Sequence, residues 1–549
     1  MSHAVPKQHE LTRQQYESWK RLVPYLYDWC AFDDVLHVGN FHFPSIPTRS
    51  HTRTHTRTGT RIHRFENHAL IWPSLSIQWG PILTPEEEVS LGVTNRAAKS
   101  RFMDDPSGAK GTSFTFSAEN MLSTSDVRSL YISEQTDGSA MNTLCMAYVD
   151  MPQQHAAGPV NLAAMGASSL QQTSSPNVKV LKTIVHPGEV NKVVSIPVPN
   201  FRHVVATHTD SPEVYIWNFN TQPNREEDLR EGEGQVDASV ADAVLVGHED
   251  NAEFAMGTSG VKPLIASGGK DMKVLVWDLE GSLGMGKVPP SVHLEGHTNT
   301  VEDVCFKPEN QFELVSVADD YSMLFWDTRS NTKPVDRVPN AHGNNDLHSV
   351  DWSLMTPHQL VTGAQDGGVY VWDRRNLSVG PTHKFMHHYE AVTKVEWSPH
   401  VPSVLASGSD DGVVAIWDLN KRAVENRSSM NLAVPEELVI QHAGHTSSVV
   451  DFSWNPDDPW TLMSTSVNSP GAGPMPINGG GALQFWRVSE IVYKSEEELM
   501  QQLAPYVLDE NRSESLAETG THSGILLPRS LDGSMARLLY RYKDYIVRS

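Results

Sequence analysis

One unit recurs along the chain and limits its possible folds more than any bulk property does. A histidine, usually after glycine, is followed 29 or 30 residues later by Trp-Asp. His248 leads to Trp277-Asp278, His297 to Trp326-Asp327, His342 to Trp372-Asp373 and His388 to Trp417-Asp418. Two flanking copies are looser: His186 leads to Trp217-Asn218, and Gly444-His445 to Trp486-Arg487. Ahead of the tryptophans stand the turn acids Asp210, Asp271, Asp320, Asp366 and Asp411. Between acid and Trp the runs VYIW, VLVW, MLFW, VYVW and VAIW favour a strand. A turn Asp tolerates tight backbone and accepts its hydrogen bonds. His and Trp carry donors that reach across strands. One such sheet cannot bury both its faces alone, so copies must stack on one another.

A self-similar unit of this size ending in Trp-Asp is the mark of WD40 blades. The reading is therefore all-β: a seven-bladed WD40 β-propeller over 128–490, with an N-terminal α-helix packed on its side. Six blades end in Trp. A first blade without that ending spans Arg128 to Met151, where SLYISEQ and NTLCMAYVDM flank the turn Asp137-Gly138. A chain of 549 residues is long for one domain, but a propeller takes most of it.

The flanks read differently. In 1–31, Tyr16, Trp19, Val23, Leu26, Tyr27 and Cys30 recur at three and four residues, which predicts a helix over 11–31, kinked at Pro24. Residues 32–66 repeat His-Thr-Arg-Thr and contain no acid between Val35 and Phe65. This is a low-complexity basic insertion, expected to be disordered, of the kind a retained intron would encode. His51 and His55 have helical metal-ligand spacing, but Thr-rich sequence is a poor helix former. A basic arm for nucleic acid is the other alternative there. In 67–83, Leu75, Ile77 and Trp79 alternate as a strand, expected to close the last blade. Residues 84–127 read as a polar loop, 491–503 as a C-terminal helix and 504–549 as a loose tail.

Charge and cysteine content narrow the function. Asp plus Glu number 66 against 43 Lys plus Arg, a net charge of -23. Such a surface repels phosphate backbones and attracts basic partners, so sequence-specific nucleic-acid binding is not expected. Cys30, Cys145 and Cys305 suit a reducing compartment and have no zinc spacing. No signal peptide and no bilayer-length apolar run appear, so the chain reads as soluble and intracellular. There is no P-loop, no GxSxG and no HExxH. No catalytic residue, metal or cofactor is expected, and the chain is not read as an enzyme.

Longer strings carry a resemblance. The N-terminal helix followed by HALIWPSL, ISEQTDGS, IVHPGEVN, SVADD and GHTSSVVDFSWNPDDPW resembles the histone-binding WD40 proteins, the retinoblastoma-binding and multicopy-suppressor-of-Ira relatives. VATHTDSPEVYIW, GHEDNAEFAM, SGGKD, QHAGH and GGGALQFWR look closer to the plant branch typified by the flowering-time protein FVE. The resemblance covers roughly 11–31, 67–83 and 128–500.

It implies a non-catalytic nuclear subunit that binds histones H3 and H4 for histone deacetylase or polycomb-type repressive complexes, or for nucleosome assembly. One implied site is a side groove for the first helix of histone H4. Trp19, Tyr25 and Leu26 match its helix, and Glu437, Leu438, Val439, Ile440 and Gln441 match its loop. The loop departs from many relatives by having Pro435 alone and Ile440 in place of an aromatic. The other implied site is an acidic channel mouth for the histone H3 tail, with Glu189, Asn191 and Glu302 matching, and Glu390 offset by one residue. A different function class is suggested by Trp326-Asp327-Thr328-Arg329 and Trp372-Asp373-Arg374-Arg375. They fit the Trp-Asp-x-Arg pattern of substrate receptors that bind a cullin–RING ligase adaptor, through Trp326, Asp327, Arg329, Trp372, Asp373 and Arg375.

Overall fold

The structure is a computed structural model. It describes residues 27–31, 68–69, 74–91, 125–134, 136, 141–152, 177–231, 236–330, 332–421, 435–467, 482–488, 490–494 and 498. Seven sheets follow one another along the chain, antiparallel throughout except where Gly286–Val288 pairs parallel with Ala243–Leu245 on the edge of the second. Blade 1 is Ile77–Ile82, Ser125–Glu134, Thr143–Pro152 and Asn177–Val185. Blade 2 begins at Lys192–Ser195, blade 3 at Met256–Thr258, blade 4 at Val301–Phe306, blade 5 at Leu347–Trp352, blade 6 at Val392–Trp397 and blade 7 at Val449–Trp454. Each of these first strands touches the first strand of the next blade, and that of blade 7 touches that of blade 1. The ring closes, and the first strands line its axis.

The apolar alternation in the repeat explains the stacking. Each of the seven apolar clusters joins two adjacent blades. Trp326 of blade 4 packs with Val276 and Leu294 of blade 3, and Trp417 of blade 6 with Val371 and Phe385 of blade 5. The closing layer sets Ile77 and Trp79 of blade 1 against Met463 and Phe485 of blade 7. The repeat tryptophans Trp217, Trp277, Trp326, Trp372, Trp417 and Trp486 are all fully buried.

Buried imidazole and indole nitrogens need partners. A hydroxyl ten residues before the Trp supplies them. In blade 6, His388 Nε2 lies 2.8 Å from Ser407 Oγ, Trp417 Nε1 donates to the same oxygen at 2.9 Å, and His388 Nδ1 meets Asp411 at 3.1 Å. Blade 4 repeats this with His297, Ser316, Trp326 and Asp320, and blade 5 uses Thr362 between His342 and Trp372. Blade 3 deviates: Trp277 donates to the Val246 carbonyl, and Ser267 serves both His248 and His208. In blade 2 the turn acid Asp210 does not hold the histidine, because His186 Nδ1 pairs with the Gly188 carbonyl at 2.9 Å.

The flanks correct three expectations. Tyr27–Ala31 is a strand on the outer edge of blade 7, paired with Ala482–Val488, so the helix cannot run to residue 31. Pro24 removes a helix hydrogen bond, and Tyr-Asp-Trp-Cys-Ala offers strand-favouring aromatics at alternate positions. Residues 1–26, including Trp19, Tyr25 and Leu26, lie outside the described residues, as do the 32–66 insertion and the 504–549 tail. Second, Ile77–Ile82 is the inner strand of blade 1 and does not close the last blade. His68–Ala69 does pair with the last blade's strand at Leu483 and Ala482. Third, 84–127 is not all loop: it holds a helix at Pro85–Ser90, and blade 1 resumes at Ser125. A reciprocal cap explains that helix, with Glu87 N–H donating to Thr84 Oγ1 and Thr84 N–H to Glu87 Oε2. The C-terminal helix expected over 491–503 is helical at Glu490–Tyr493 and at Glu498, and 495–497 and 499–503 lie outside the described residues.

Ser407→Ala leaves two interior nitrogens, on His388 and Trp417, without a partner. The expected loss is about 2–6 kcal/mol of stability in denaturant unfolding, at roughly 1–3 kcal/mol per orphaned group. Ser407→Thr, which keeps the oxygen, should lose much less.

Candidate peptide-binding mouth

The first strands carry polar side chains that bind blade to blade around the axis. Asp303 of blade 4 accepts from Ser349 Oγ and Val350 N–H of blade 5, both at 3.0 Å. Ser349 accepts from Val395 N–H of blade 6 at 3.2 Å. Lys394 of blade 6 donates to Asp451 Oδ1 of blade 7 at 2.7 Å. The other Asp451 oxygen accepts from Ser76 Oγ and Ile77 N–H at the start of blade 1, at 2.8 and 3.0 Å. Ser76 in turn accepts from Val193 N–H of blade 2 at 3.1 Å. Blades 3 and 4 meet through backbone instead: a Cβ on Gly257 would lie 2.4 Å from the Val304 carbonyl oxygen, so only glycine fits there.

Burial sets the charge state of this belt. It pushes the Asp303 carboxyl up, and one pleat further along the strands it pushes Asp351 up to about 7. Burial also raises Asp451, but Lys394 outweighs it and the carboxyl ends below its ordinary range.

Where the first strands begin, acids converge from several blades. Glu302 opens blade 4 and is pushed up to about 8, chiefly by burial and then by the charges of Asp319, Asp303, Glu253 and Asp346. Glu189, in the loop before blade 2, is raised by burial, Asp210 and Glu253. Asp319 is raised by burial and by Asp346. From blade 2 to blade 5, the acids of each blade thus feel those of the next around one end of the axis. A site that crowds carboxylates this way is relieved by a cation. Asn191 is half-buried beside Glu189, its N–H on the His208 carbonyl at 3.1 Å. Glu390 is exposed in the loop before blade 6, next to Tyr389, which is 65% exposed. Sequence reading missed Glu253, Asp319 and Asp346. A search for acids in every loop between the blade His and the first strand would have found Glu253 and Asp346.

The loop residues matched to the side groove fall elsewhere. Leu438–His442 is the outer strand of blade 6. Leu438, Val439 and Ile440 are at most 2% exposed and pack in the layers on either side of that blade. Only Glu437 and Gln441 of the five are half-open, and Gln441 meets His387. Trp326 and Trp372 of the Trp-Asp-x-Arg pair are interior. Arg329 and Arg375 lie in the open on neighbouring blades, each forked onto its own blade's Asp327 or Asp373 with a 2.6 Å contact. That pairing holds both Asp carboxyls at about 2, with the Arg hydrogen bonds as the main cause.

Among the described residues no group of three or more His, Cys, Asp or Glu side chains is placed to hold a metal ion. No described helix is long and apolar enough to cross a membrane.

Known proteins share this architecture. The model for the WD domain, G-beta repeat, matches residues 289–327, 334–373, 380–418 and 436–469. The WD-40 repeat-containing protein MSI4 of Arabidopsis thaliana is 36% identical over 521 residues, covering 90% of this chain and 85% of the relative. The chain belongs to the MSI family of WD40-repeat proteins. Like the rest of that family it is a WD-repeat propeller, and its organisation is that of an interaction scaffold.

The crowded mouth gives stability a pH signature. Glu302 holds its proton to about 8 when folded against an ordinary 4.5. Its ionisation therefore weakens the fold as pH rises through that interval. Glu302→Gln should melt a few degrees above the parent chain at pH 9 and close to it at pH 5. An equal shift at both pH values contradicts the assigned environment.

Proposed function

We propose that the mouth takes the amino-terminal tail of histone H3 or a similarly basic peptide, and that the protein is a non-catalytic histone-binding scaffold subunit in the nucleus. The observation that carries this reading is the convergence of Glu189, Glu253, Glu302, Asp319 and Asp346 from four blades on one end of the axis. A Lys or Arg side chain entering there gains charge-assisted hydrogen bonds and relieves mutual repulsion. Membership in the MSI family, and the resemblance of HPGEVN and GHTNTVEDV to the tail-binding loops, point the same way. The complexes served are of the histone deacetylase, polycomb-type or nucleosome-assembly kind.

The histone H4 groove has a narrower basis here. Its loop half offers Glu437 and Gln441 as open contacts, because the three apolar residues between them are core. Ile440→Asp would therefore test folding and not the groove. The ligase-adaptor reading has less behind it, since Arg329 and Arg375 are already saturated by Asp327 and Asp373.

The paired substitution Glu189→Lys with Glu302→Lys should weaken binding of a histone H3 tail peptide by about tenfold or more in fluorescence anisotropy, with the melting temperature retained. Because a cation prefers ionised Glu302, the parent chain should bind more tightly as pH rises towards 8. Undiminished affinity in the folded double variant rejects the mouth as the site.

A further inference from the structure

One residue at the mouth has the wrong charge for an acidic ring. The backbone N–H of Lys270 donates to the Asn251 carbonyl at 2.9 Å. The same bond recurs in four other blades, from Asp319 to Thr300 at 3.0 Å, Gln365 to Asp346 at 2.9 Å, Asp410 to Ala391 at 3.0 Å and Val467 to Ser448 at 3.2 Å. These five residues occupy one structural position at the rim. Two are acids, one is an amide and one is apolar; Lys270 alone brings a cation.

The Lys270 ammonium lies 2.6 Å from Glu253 Oε1. Asp250 and Glu302 also act on its charge. Glu253 is the acid whose field reaches both Glu189 and Glu302, so it is central to the cluster. The pair is open to water, with the lysine side chain 45% and the glutamate 21% exposed. An exposed ion pair of this kind is held weakly and exchanges readily with another cation.

We propose that Lys270 is a resident cation of the mouth, seated on Glu253 in place of a ligand ammonium, and that its charge sets how tightly the mouth takes a basic peptide. This rests on the reading of the mouth as a basic-peptide site. An incoming Lys or Arg side chain must displace Lys270 from Glu253 or work against its charge. The competition makes the mouth selective for peptides with several cations, because one cation gains little by replacing another. Phe254, the residue after Glu253, is 47% exposed.

The test uses the full chain and a short fluorescein-labelled peptide of alternating Lys and Ala, read by anisotropy at low and high salt. Four variants are compared with the parent: Lys270→Ala, Glu302→Gln, Glu253→Gln, and Lys270→Ala with Glu253→Gln. Lys270→Ala should tighten binding by about fivefold at low salt, and the gain should shrink at high salt. Glu253→Gln should weaken binding more in the Lys270→Ala background than in the parent, because only there is the carboxylate free. If Glu302→Gln weakens binding while Lys270→Ala leaves it unchanged or weaker, the mouth stands and the role of Lys270 is overturned. If Glu302→Gln has no effect on peptide binding, the mouth reading falls and this proposal with it. Lys270 is solvent-exposed, so its removal should not lower the melting temperature.

Discussion

Everything in this molecule depends on the ring being closed, and Asp451 is where it closes. One oxygen of its carboxylate holds Lys394 of blade 6, and the other holds Ser76 and Ile77 at the start of blade 1. A buried carboxylate is tolerable only when its lone pairs are filled, and this one is filled from both neighbours. The first and last parts of the propeller are more than three hundred residues apart in sequence. Their meeting carries a large loop-closure entropy. The Trp79–Phe485 edge contact, at 5.9 Å, and the strands Tyr27–Ala31 and His68–Ala69 on blade 7 add apolar burial and backbone pairing to the same seam.

The remaining blades follow from a simpler rule. Each Trp fills the layer towards the preceding blade, and in blades 2, 4, 5, 6 and 7 a Ser or Thr at its back satisfies both the indole and the blade histidine. The acid at the turn then orients the imidazole. Burial raises the Asp320 carboxyl, but His297 and the surrounding N–H groups outweigh it, and the pair stays ionic on the acid's side. Blade 7 shows what happens without the acid. His445 keeps Ser464 at 2.7 Å, while its Nδ1 has no partner among the described residues. Burial then holds that imidazole far below its usual pKa, at about 3.

Much of this architecture can be read from the chain because the repeat is local. The His-to-Trp spacing, the turn acid and the period-two apolar run lie within one blade, so seven blades and their order are legible. What crosses blades is not. Nothing local distinguishes Leu438, Val439 and Ile440 as a buried edge strand from the lining of a groove, since both call for apolar side chains. The strand at Tyr27–Ala31 reads as a continuation of an amphipathic helix, because its pairing partner is at Ala482–Val488. The mouth was partly visible: Glu189 and Glu302 stand in loops that resemble a known family. Glu253 and Lys270 did not stand out, because their meaning comes from the position that blade 3 shares with the others. Asp210 shows the reverse case, a residue with the right spacing whose role the Gly188 carbonyl has taken.

A basic histone tail is proposed to sit at the end of the axis where Glu189, Glu253 and Glu302 meet. The most direct measurement is photo-cross-linking of a histone H3 tail peptide carrying a photoreactive residue beside its first lysine, followed by mapping of the joined residues. Cross-links are expected at the rim, at Phe254 and Tyr389 and the loops that hold them. Cross-links confined to the outer strands of the blades, or to the edge at Leu438–His442, would contradict that placement.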